Sequence, residues 1–141
     1  MADHPIELII VTPERSIVQE HVDELEIPGA DGYFGVLPGH AALFSELKVG
    51  EVSYRIVDKW SFLVVAWGFV EVQSNHVRIL AETAERAHEI DLDRAMRAKD
   101  RAEQRISKGG AEVDVARAVI ALERALIRMQ VAHKARLRVN V

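Results

Sequence analysis

The amino-acid sequence changes character near residue 86, and this change constrains the fold more than any other feature. All four prolines and all eight aromatic residues lie before residue 70, and none of either kind follows Ala87. Residues 1–86 carry a net charge of −8 and residues 87–141 a net charge of +4. Prolines and aromatics are typical of turns and strands, whereas a long segment without proline favours helices. We therefore predict two domains, residues 1–86 and residues 87–141, that face different partners.

The first domain has the pattern of short strands. Runs rich in β-branched and aromatic residues alternate with turn residues, and some connections are as short as Asp58-Lys59. The predicted strands are residues 6–11, 22–27, 52–57, 60–66, 69–72 and 77–80. Because short connections favour antiparallel hairpins, the sequence predicts an antiparallel β-sandwich or a flattened barrel.

In the second domain, small apolar residues recur at helical spacing. They form two stripes: Leu92, Ala95, Ala98, Ala102 and Ile106, then Val115, Ala118, Leu122, Ala125, Met129 and Ala132. Steps of three and four residues are those of a helix–helix seam. Gly109 and Gly110 favour a turn between the stripes, because adjacent glycines are unfavourable inside one long helix. The fold prediction is α+β, an antiparallel β-sandwich followed by an antiparallel two-helix hairpin.

Charge and composition exclude several kinds of protein. The net charge of −4 gives the whole chain no electrostatic basis for binding nucleic acid, and the absence of cysteine excludes thiol chemistry. The N-terminus lacks the basic and apolar regions of a signal peptide. The longest apolar run, residues 62–70, is far shorter than the roughly 20 residues of a membrane span. We expect any membrane contact to be made through a partner.

The glycine-rich segment 29–50 allows three interpretations: a phosphate-binding loop, an active-site loop around His40, or turns. A P-loop needs a lysine and a hydroxyl residue after its last glycine, but His40 and Ala41 follow Gly39. Ser45 does not lie in a nucleophile-elbow motif, and the six histidines lack metal-binding spacing. The sequence favours turns, with His40 in a structural role, and predicts no catalytic residue and no metal site.

Two segments combine motif residues in a specific order. One is GYFGVLPGHAALFSELKVGEV, residues 32–52, and the other is WGFVEVQSNHVRILAETAERAHEID, residues 67–91. They resemble the Gly-x-x-Gly-(Val/Ile)-x-Pro-Gly-His and Gly-Gly-x-(Val/Leu)-Glu-Val … Ala-(Asp/Glu)-x-Ala-Glu segments of the ε subunit of bacterial F-type ATP synthases. An alanine- and arginine-rich helical hairpin follows in both, so the resemblance covers almost the whole chain. The chain departs from the family at Trp67, where glycine is frequent, and at Tyr33, where an acidic residue is frequent.

The resemblance implies a non-catalytic subunit of the central stalk. In the family, the β-sandwich binds the γ subunit and rests on the membrane ring of c subunits. The segment that matches the contact loop contains Gly32, Tyr33, Gly35 and His40. The family's ε subunit helps to transmit ring rotation through γ to the catalytic β subunits, which lie with α in F1. A peripheral position on the cytoplasmic face of the bacterial plasma membrane is implied. Tyr33 puts any charge-dependent contact of this loop in question.

The hairpin is the regulatory part in the family. When folded it permits ATP hydrolysis, and when extended along γ its basic second helix reaches an acidic segment of the β subunit and blocks hydrolysis. Residues 115–141 hold one acidic residue, Glu123, and six basic residues: Arg117, Arg124, Arg128, Lys134, Arg136 and Arg138. This charge has the sign that such a contact requires. The alternative is a solvated basic face.

Some bacterial members bind ATP on the folded hairpin through an Ile/Leu-Asp-x-x-Arg-Ala motif. This chain matches the motif at Ile90, Asp91, Arg94 and Ala95, and the supporting positions at Glu85, Arg101, Arg124 and Arg128. Because the members of each arginine pair share a helix face, two facing pairs can clamp a triphosphate. The resemblance thus implies ATP as a regulatory ligand, with Mg²⁺ optional and no required cofactor. Asp91 is alternatively a helix N-cap.

Two other classes of function stay open at this point. One is a stand-alone β-sandwich binding module with a helical interaction arm, for which Trp60 and Trp67 would form an exposed ligand platform. Their positions within strand patterns instead predict burial. The other is a hydrolase with His40 or His76 as its base. Recovery of γ, α and β together with this chain from bacterial membranes would distinguish the subunit from both alternatives.

Overall fold

The computed structural model describes residues 4–110 and 114–139, with side chains as far as Arg136, and divides into two compact units after Arg86. The strands of the first unit are β1 Ile6–Val11, β2 Ser16–Val22, β3 Glu24–Gly29, β4 Gly32–Val36, β5 Leu43–Leu47, β6 Gly50–Ile56, β7 Lys59–Gln73 and β8 His76–Arg86. The second unit has a short 3₁₀ turn, Ala87–Glu89, and the helices α1 Leu92–Lys108 and α2 Val115–Val139. The predicted fold class is confirmed.

The long strand β7 organises the sheet. The strands pair in the order β2-β1-β8-β7-β5-β3-β4, and β6 pairs with both β3 and β7. Strand β8 occupies one edge of β7 over residues 63–73, so β6 and β5 share the other edge, along residues 59–65 and 68–72. Strands β1 and β8 are parallel, and the other pairs described are antiparallel.

One apolar core lies entirely within the first unit. Alternate residues of the strands are buried, as Ile6, Leu8 and Ile10 of β1 illustrate with no exposed surface. Tyr54 is the largest of the fully buried side chains, and its hydroxyl accepts a hydrogen bond from Arg86 Nη1 at 3.1 Å. Burial raises the pKa of the Tyr54 hydroxyl. The buried hydroxyl of Tyr54 therefore has a hydrogen-bond partner, which is Arg86, the last residue of β8.

Three strand predictions are corrected. The predicted strand 22–27 corresponds to β3, and its first residue, Val22, instead ends β2, a strand that was otherwise not predicted. The two strands separate at Asp23, whose carboxylate accepts a hydrogen bond from Val57 N at 2.7 Å. The predicted strands 60–66 and 69–72 are parts of β7, because Trp67 and Gly68, with φ angles of 60° and 124°, bend the strand while it stays paired with β8 on both sides. Segment 29–50, interpreted as turns, also forms β4 and β5.

The helical seam follows the predicted spacing for the most part. Of the two predicted stripes, Ala95, Ala102, Ala118, Ala125 and Ala132 are buried, whereas Val115 is 45% exposed. The turn between the helices begins at Gly109, whose φ is 58° and whose N–H donates to Arg105 O at 3.2 Å. Ala95 and Ala102 on α1, like Ala118, Ala125 and Ala132 on α2, are spaced seven residues apart. Because these side chains are small, the two helices can approach each other closely.

Candidate functional site

The glycine-rich segment begins with the tight β3–β4 hairpin. Gly29 pairs with Gly32 across the two-residue turn Ala30-Asp31, and Gly32 has a φ of 127°. Gly50 has a different role, because a Cβ there would lie 2.5 Å from Pro28 Cβ and 2.7 Å from Tyr33 Oη. The prediction that these glycines serve turns holds for Gly32, whereas Gly50 leaves room for neighbouring side chains.

Tyr33 is held in place within this hairpin. Its hydroxyl accepts a hydrogen bond from Glu51 N at 3.0 Å, and Tyr33 is directly opposite Pro28 on the neighbouring strand. The side chain nevertheless remains 54% exposed. Strand β4 thus presents a neutral, fixed aromatic side chain where the family frequently has an acid, and the turn of this hairpin carries the exposed acid Asp31.

His40 makes local contacts. Its Nδ1–H donates to Ala41 O at 2.6 Å, and its backbone N–H donates to Leu37 O at 3.2 Å. Gly35 lies in β4, and Gly39, with a φ of 83°, turns the chain towards β5. These bonds are those of a histidine that orders a turn. In the described residues, no group of three or more His, Cys, Asp or Glu side chains is placed to hold a metal ion.

An exposed apolar row crosses the outer face of the sandwich. The rings of Phe44 on β5 and Phe69 on β7 stack with centroids 5.5 Å apart, and they are 65% and 44% exposed. Leu80 on β8, opposite Phe69, is 53% exposed, and Val11 on β1 lies opposite Leu80. We call Val11, Phe44, Phe69 and Leu80 the apolar row. Apolar side chains that adjoin on four strands mark a candidate contact surface.

The apolar row was not predicted from the sequence, and the predicted burial of one tryptophan is wrong. Trp67, predicted to be buried, is 38% exposed, and Trp60 is half-buried. A signal was available, because Phe69 alternates with the buried Val70 and Val72 and must therefore point outward. The stacking of Phe69 on Phe44 and its pairing with Leu80 depend on strand register, which the sequence does not specify.

The predicted nucleotide-binding motif lies at the start of α1. Asp91 is the N-cap of this helix, with Oδ1 accepting a hydrogen bond from Arg94 N at 3.0 Å. Ala95 is fully buried, Ile90 is half-buried, and Arg94 is exposed. The alternative interpretation of Asp91 as a helix cap therefore accounts for its position. Arg94 is exposed, so it is accessible to a nucleotide.

The remaining positions of the motif lie on three elements. Arg101 is exposed on α1, Arg124 is exposed on α2, and Arg128 is half-buried one turn after Arg124. Glu85 belongs to β8 in the first unit, opposite Val64.

The basic character of α2 extends along the helix. Arg117 and Arg136 are exposed, and Lys134 is half-buried. The side chain of Arg138 lies outside the described residues. None of the helices in the described part of the chain is long and apolar enough to cross a membrane.

The geometry defines a class of protein, a β-sandwich with an exposed apolar surface joined to a basic two-helix hairpin. Two family models match this division: the β-sandwich domain of the ATP synthase delta/epsilon chain over residues 5–87, and its long alpha-helix domain over residues 88–133. The chain belongs to the F-type ATP synthase epsilon-chain family, whose members are non-catalytic subunits of the complex.

Bacterial relatives support the same assignment. The ATP synthase epsilon chain of Nitratidesulfovibrio vulgaris strain DP4 is 49% identical over 126 residues, which cover 89% of this chain and 94% of the relative. The epsilon chain of Geobacter sulfurreducens is 50% identical over 127 residues, covering 89% and 92%. That of Koribacter versatilis is 50% identical over 112 residues, covering 79% and 78%. The predicted family is confirmed.

Solved structures place similar chains in rotary complexes. A chain of the Euglena gracilis mitochondrial ATP synthase, from a structure of its OSCP/F1/c-ring, has a TM-score of 0.78 and 26% identity, covering 95% of this chain and 82% of that one. A chain of the Tetrahymena thermophila mitochondrial ATP synthase central stalk/c-ring has a TM-score of 0.58 and 14% identity, covering 93% and 96%, and shows the fold alone.

Proposed function

We propose that this chain is a central-stalk subunit of a bacterial proton-translocating F-type ATP synthase that couples c-ring rotation through γ to ATP synthesis and restrains ATP hydrolysis. The apolar row carries this proposal. An exposed, stacked aromatic pair next to Leu80 is costly on an isolated domain and typical of the centre of a protein interface. We assign the apolar row to the γ subunit, in line with the family's assembly.

The β3–β4 hairpin is the proposed contact with the c-ring. Gly32 makes the turn tight, and Tyr33 is fixed by its bond to Glu51 N. This contact offers a neutral aromatic surface beside Asp31. Its affinity for the c-ring is therefore expected to depend less on salt concentration than that of a contact made by a glutamate at position 33. The membrane is reached through the c-ring alone, which corresponds to a peripheral position on the cytoplasmic face of the bacterial plasma membrane.

The hairpin is the proposed inhibitory element. Exposed Arg117, Arg124 and Arg136 give α2 the positive charge that an acidic segment of the β subunit would attract. Inhibition of ATP hydrolysis follows from this contact, whereas ATP synthesis does not require it. Removal of residues 87–141 in an assembled enzyme is therefore expected to raise hydrolysis or leave it unchanged, and to preserve synthesis.

ATP is the proposed regulatory ligand of the hairpin. Arg94 and Arg101 on one helix and Arg124 and Arg128 on the other supply charge for a triphosphate, and an Asp91 cap keeps the first turn of α1 ordered beside it. At about 100 times its dissociation constant, ATP would stabilise the folded hairpin by about 2.7 kcal/mol. This is enough to shift a balance of a few kcal/mol between two forms.

One titration tests the ligand. Arg124→Gln is expected to weaken ATP binding measured by calorimetry, while Arg117→Gln, which removes the same charge seven residues earlier on the same helix face, is expected to retain it. The measurement is made with and without Mg²⁺, and circular dichroism checks that both variants keep their helices. No heat at millimolar ATP, or equal losses in the two variants, would rule out this site.

A second experiment tests the partner. The full chain is titrated onto F1 that lacks this subunit but retains γ. Phe44→Ala is expected to weaken binding at least tenfold, because truncation of a central aromatic side chain at an interface typically costs more than about 1.4 kcal/mol. Val57→Ala, at an exposed position on the β6–β7 turn, is the control and is expected to bind as the unmodified chain does. Unchanged binding by Phe44→Ala would overturn the proposed docking surface.

A further inference from the structure

The β7–β8 turn has a residue that does more than reverse the chain. Ser74 and Asn75 form a two-residue connection between the paired Gln73 and His76, with φ angles of 46° and 66°. Two positive φ values are those of a type I′ turn, in which asparagine and glycine are favoured. Glycine would suit the backbone at position 75 equally well, so the turn alone does not call for an amide side chain.

The Asn75 side chain reaches across to another part of the sandwich. Its Oδ1 accepts a hydrogen bond from Gly39 N at 2.7 Å, 36 residues away in sequence, while its backbone oxygen accepts one from Glu7 N at 2.8 Å. One residue thus joins the β7–β8 turn, the start of β1 and the segment 37–42 between β4 and β5. The amide oxygen is the atom that fixes Gly39.

Segment 37–42 leads directly to the apolar row. It carries Leu37, which is 58% exposed, and it continues into β5, where Phe44 stacks on Phe69 of β7. Asn75 lies two residues after Gln73, the last residue of β7. The bond between Asn75 and Gly39 therefore ties the entrance of β5 to the exit of β7, the two strands that hold the stacked rings.

We propose that Asn75 is a positioning residue for partner docking, which holds segment 37–42 in its binding conformation without touching the partner itself. The inference rests on the proposed function, because it assumes that the apolar row meets a partner. A segment that is ordered before binding loses less conformational entropy when the complex forms. Asn75 acts through Gly39, whose φ of 83° has to be kept for the chain to turn from Pro38 into His40.

Substitutions at position 75 separate the side-chain bond from the turn. Asn75→Gly keeps the positive φ and removes the Oδ1 acceptor. Asn75→Asp retains an acceptor oxygen and tolerates the same backbone conformation. Ser74→Gly is the matched control, since it removes a polar side chain from the adjacent turn residue, also at positive φ, whose side chain has no bond to Gly39.

The experiment measures hydrogen exchange at the Gly39 amide of the full chain, its thermal midpoint, and its affinity for F1 that lacks this subunit but retains γ. Asn75→Gly is expected to speed exchange at Gly39 and to weaken binding about five- to tenfold, a factor typical of one hydrogen bond. The thermal midpoint should fall by only a few degrees, because the same hydrogen bond also stabilises the free chain. Asn75→Asp and Ser74→Gly should both bind as the unmodified chain does.

Several results would overturn the positioning role. These are unchanged Gly39 exchange in Asn75→Gly, faster exchange without weaker binding, and an equal loss of affinity in Ser74→Gly. Phe44→Ala in the same titration separates this inference from the proposed function. If Phe44→Ala weakens binding and Asn75→Gly does not, the docking surface stands and the role of Asn75 is wrong. If Phe44→Ala binds normally, the docking surface itself is wrong.

Discussion

Strain at a single residue is balanced by polar contacts at the β6–β7 turn. Val57 has a φ of 59°, an unfavourable angle for a β-branched side chain, and it is 56% exposed. Its N–H donates to Asp23 Oδ2 at 2.7 Å, and its carbonyl oxygen accepts from Arg55 Nη1 at 2.6 Å. These bonds hold a conformation that valine would otherwise avoid.

Replacement of this valine by glycine is expected to stabilise the sandwich. Val57→Gly removes the Cβ that makes the left-handed backbone unfavourable, and the exposed side chain loses little burial. Relief of strain adds about 1–2 kcal/mol to the free energy of unfolding. The greater conformational entropy of glycine in the unfolded chain offsets part of this, so the expected net stabilisation is about 0.5–1 kcal/mol. Chemical denaturation measures it. Val57→Ala keeps a Cβ and should gain less, and a destabilised glycine variant would contradict the strain argument.

Asp23 gives the sandwich an acid-sensitive contribution to stability. The hydrogen bond from Val57 N and then the bond with His4 hold the pKa of Asp23 below its ordinary value of 3.8. Because the folded-state pKa is depressed, the stabilisation is present above pH 3.8 and is lost as the pH falls through the folded-state pKa. The free energy of unfolding should fall more steeply below this pH in the unmodified chain than in Asp23→Asn. Parallel pH profiles would contradict this prediction.

Helices and strands that a local sequence pattern determines were predicted from the sequence. Strands that form because of pairing with distant strands were predicted less well. The alternation in Ile6–Val11 and the helical spacing around Ala95 are visible in the sequence, and both elements formed as predicted. Strand β4 was missed because its two glycines lower the intrinsic strand preference, which pairing with β3 overrides. Strand β5 contains no glycine and was missed because the glycines before and after it were interpreted as turns, although it pairs with β7. The stacking that exposes Phe44 beside Phe69 and the reach of Asn75 to Gly39 depend on long-range register, which no local pattern contains. The motif around Asp91 could be read directly, since its residues are close in sequence.

The bend in β7 is expected to tolerate no side chain at position 68. A Cβ on Gly68 would lie 1.9 Å from Leu80 O, and its φ of 124° is unfavourable for any other residue. Gly68→Ala should therefore destabilise the sandwich by about 3 kcal/mol or more. Gly109→Ala is the control, because its Cβ meets nothing within 4 Å and only the φ of 58° opposes it. Denaturation should show a smaller cost for that variant, about 1–3 kcal/mol from its backbone angles alone (φ 58°, ψ −153°), and equal costs would rule out the close approach.

At the scale of the whole molecule, the two units differ in what stabilises them. The apolar core cluster is confined to residues 6–81 and contains Tyr54 and many large aliphatic side chains. The buried apolar residues described in the hairpin are five alanines and Val131. Alanine contributes little apolar area, so the hairpin is near the limit at which a small unit is stable by itself.

Separate fragments should reveal this difference. Residues 1–86 alone are expected to unfold cooperatively and to bind F1 that lacks this subunit, because the core and the apolar row are both retained. Residues 87–141 alone should show a broad transition without cooperativity. Calorimetry and circular dichroism measure both. A fragment 1–86 that does not unfold cooperatively would show that the sandwich depends on the rest of the chain.

The pairing of β7 has a mechanical consequence if the chain rotates with the central stalk, as proposed. Strand β8 runs along one edge of β7 while β6 and β5 follow each other along the opposite edge. A force applied along β7 near Phe69 stretches the hydrogen bonds of both edges together, in shear, and does not open them one by one from an end. Because Phe69 lies on β7, torque applied at the apolar row, as the proposed function requires, would be spread over most of the sheet. We expect the sandwich to resist twisting as a stiff body and to yield only when whole strands slide.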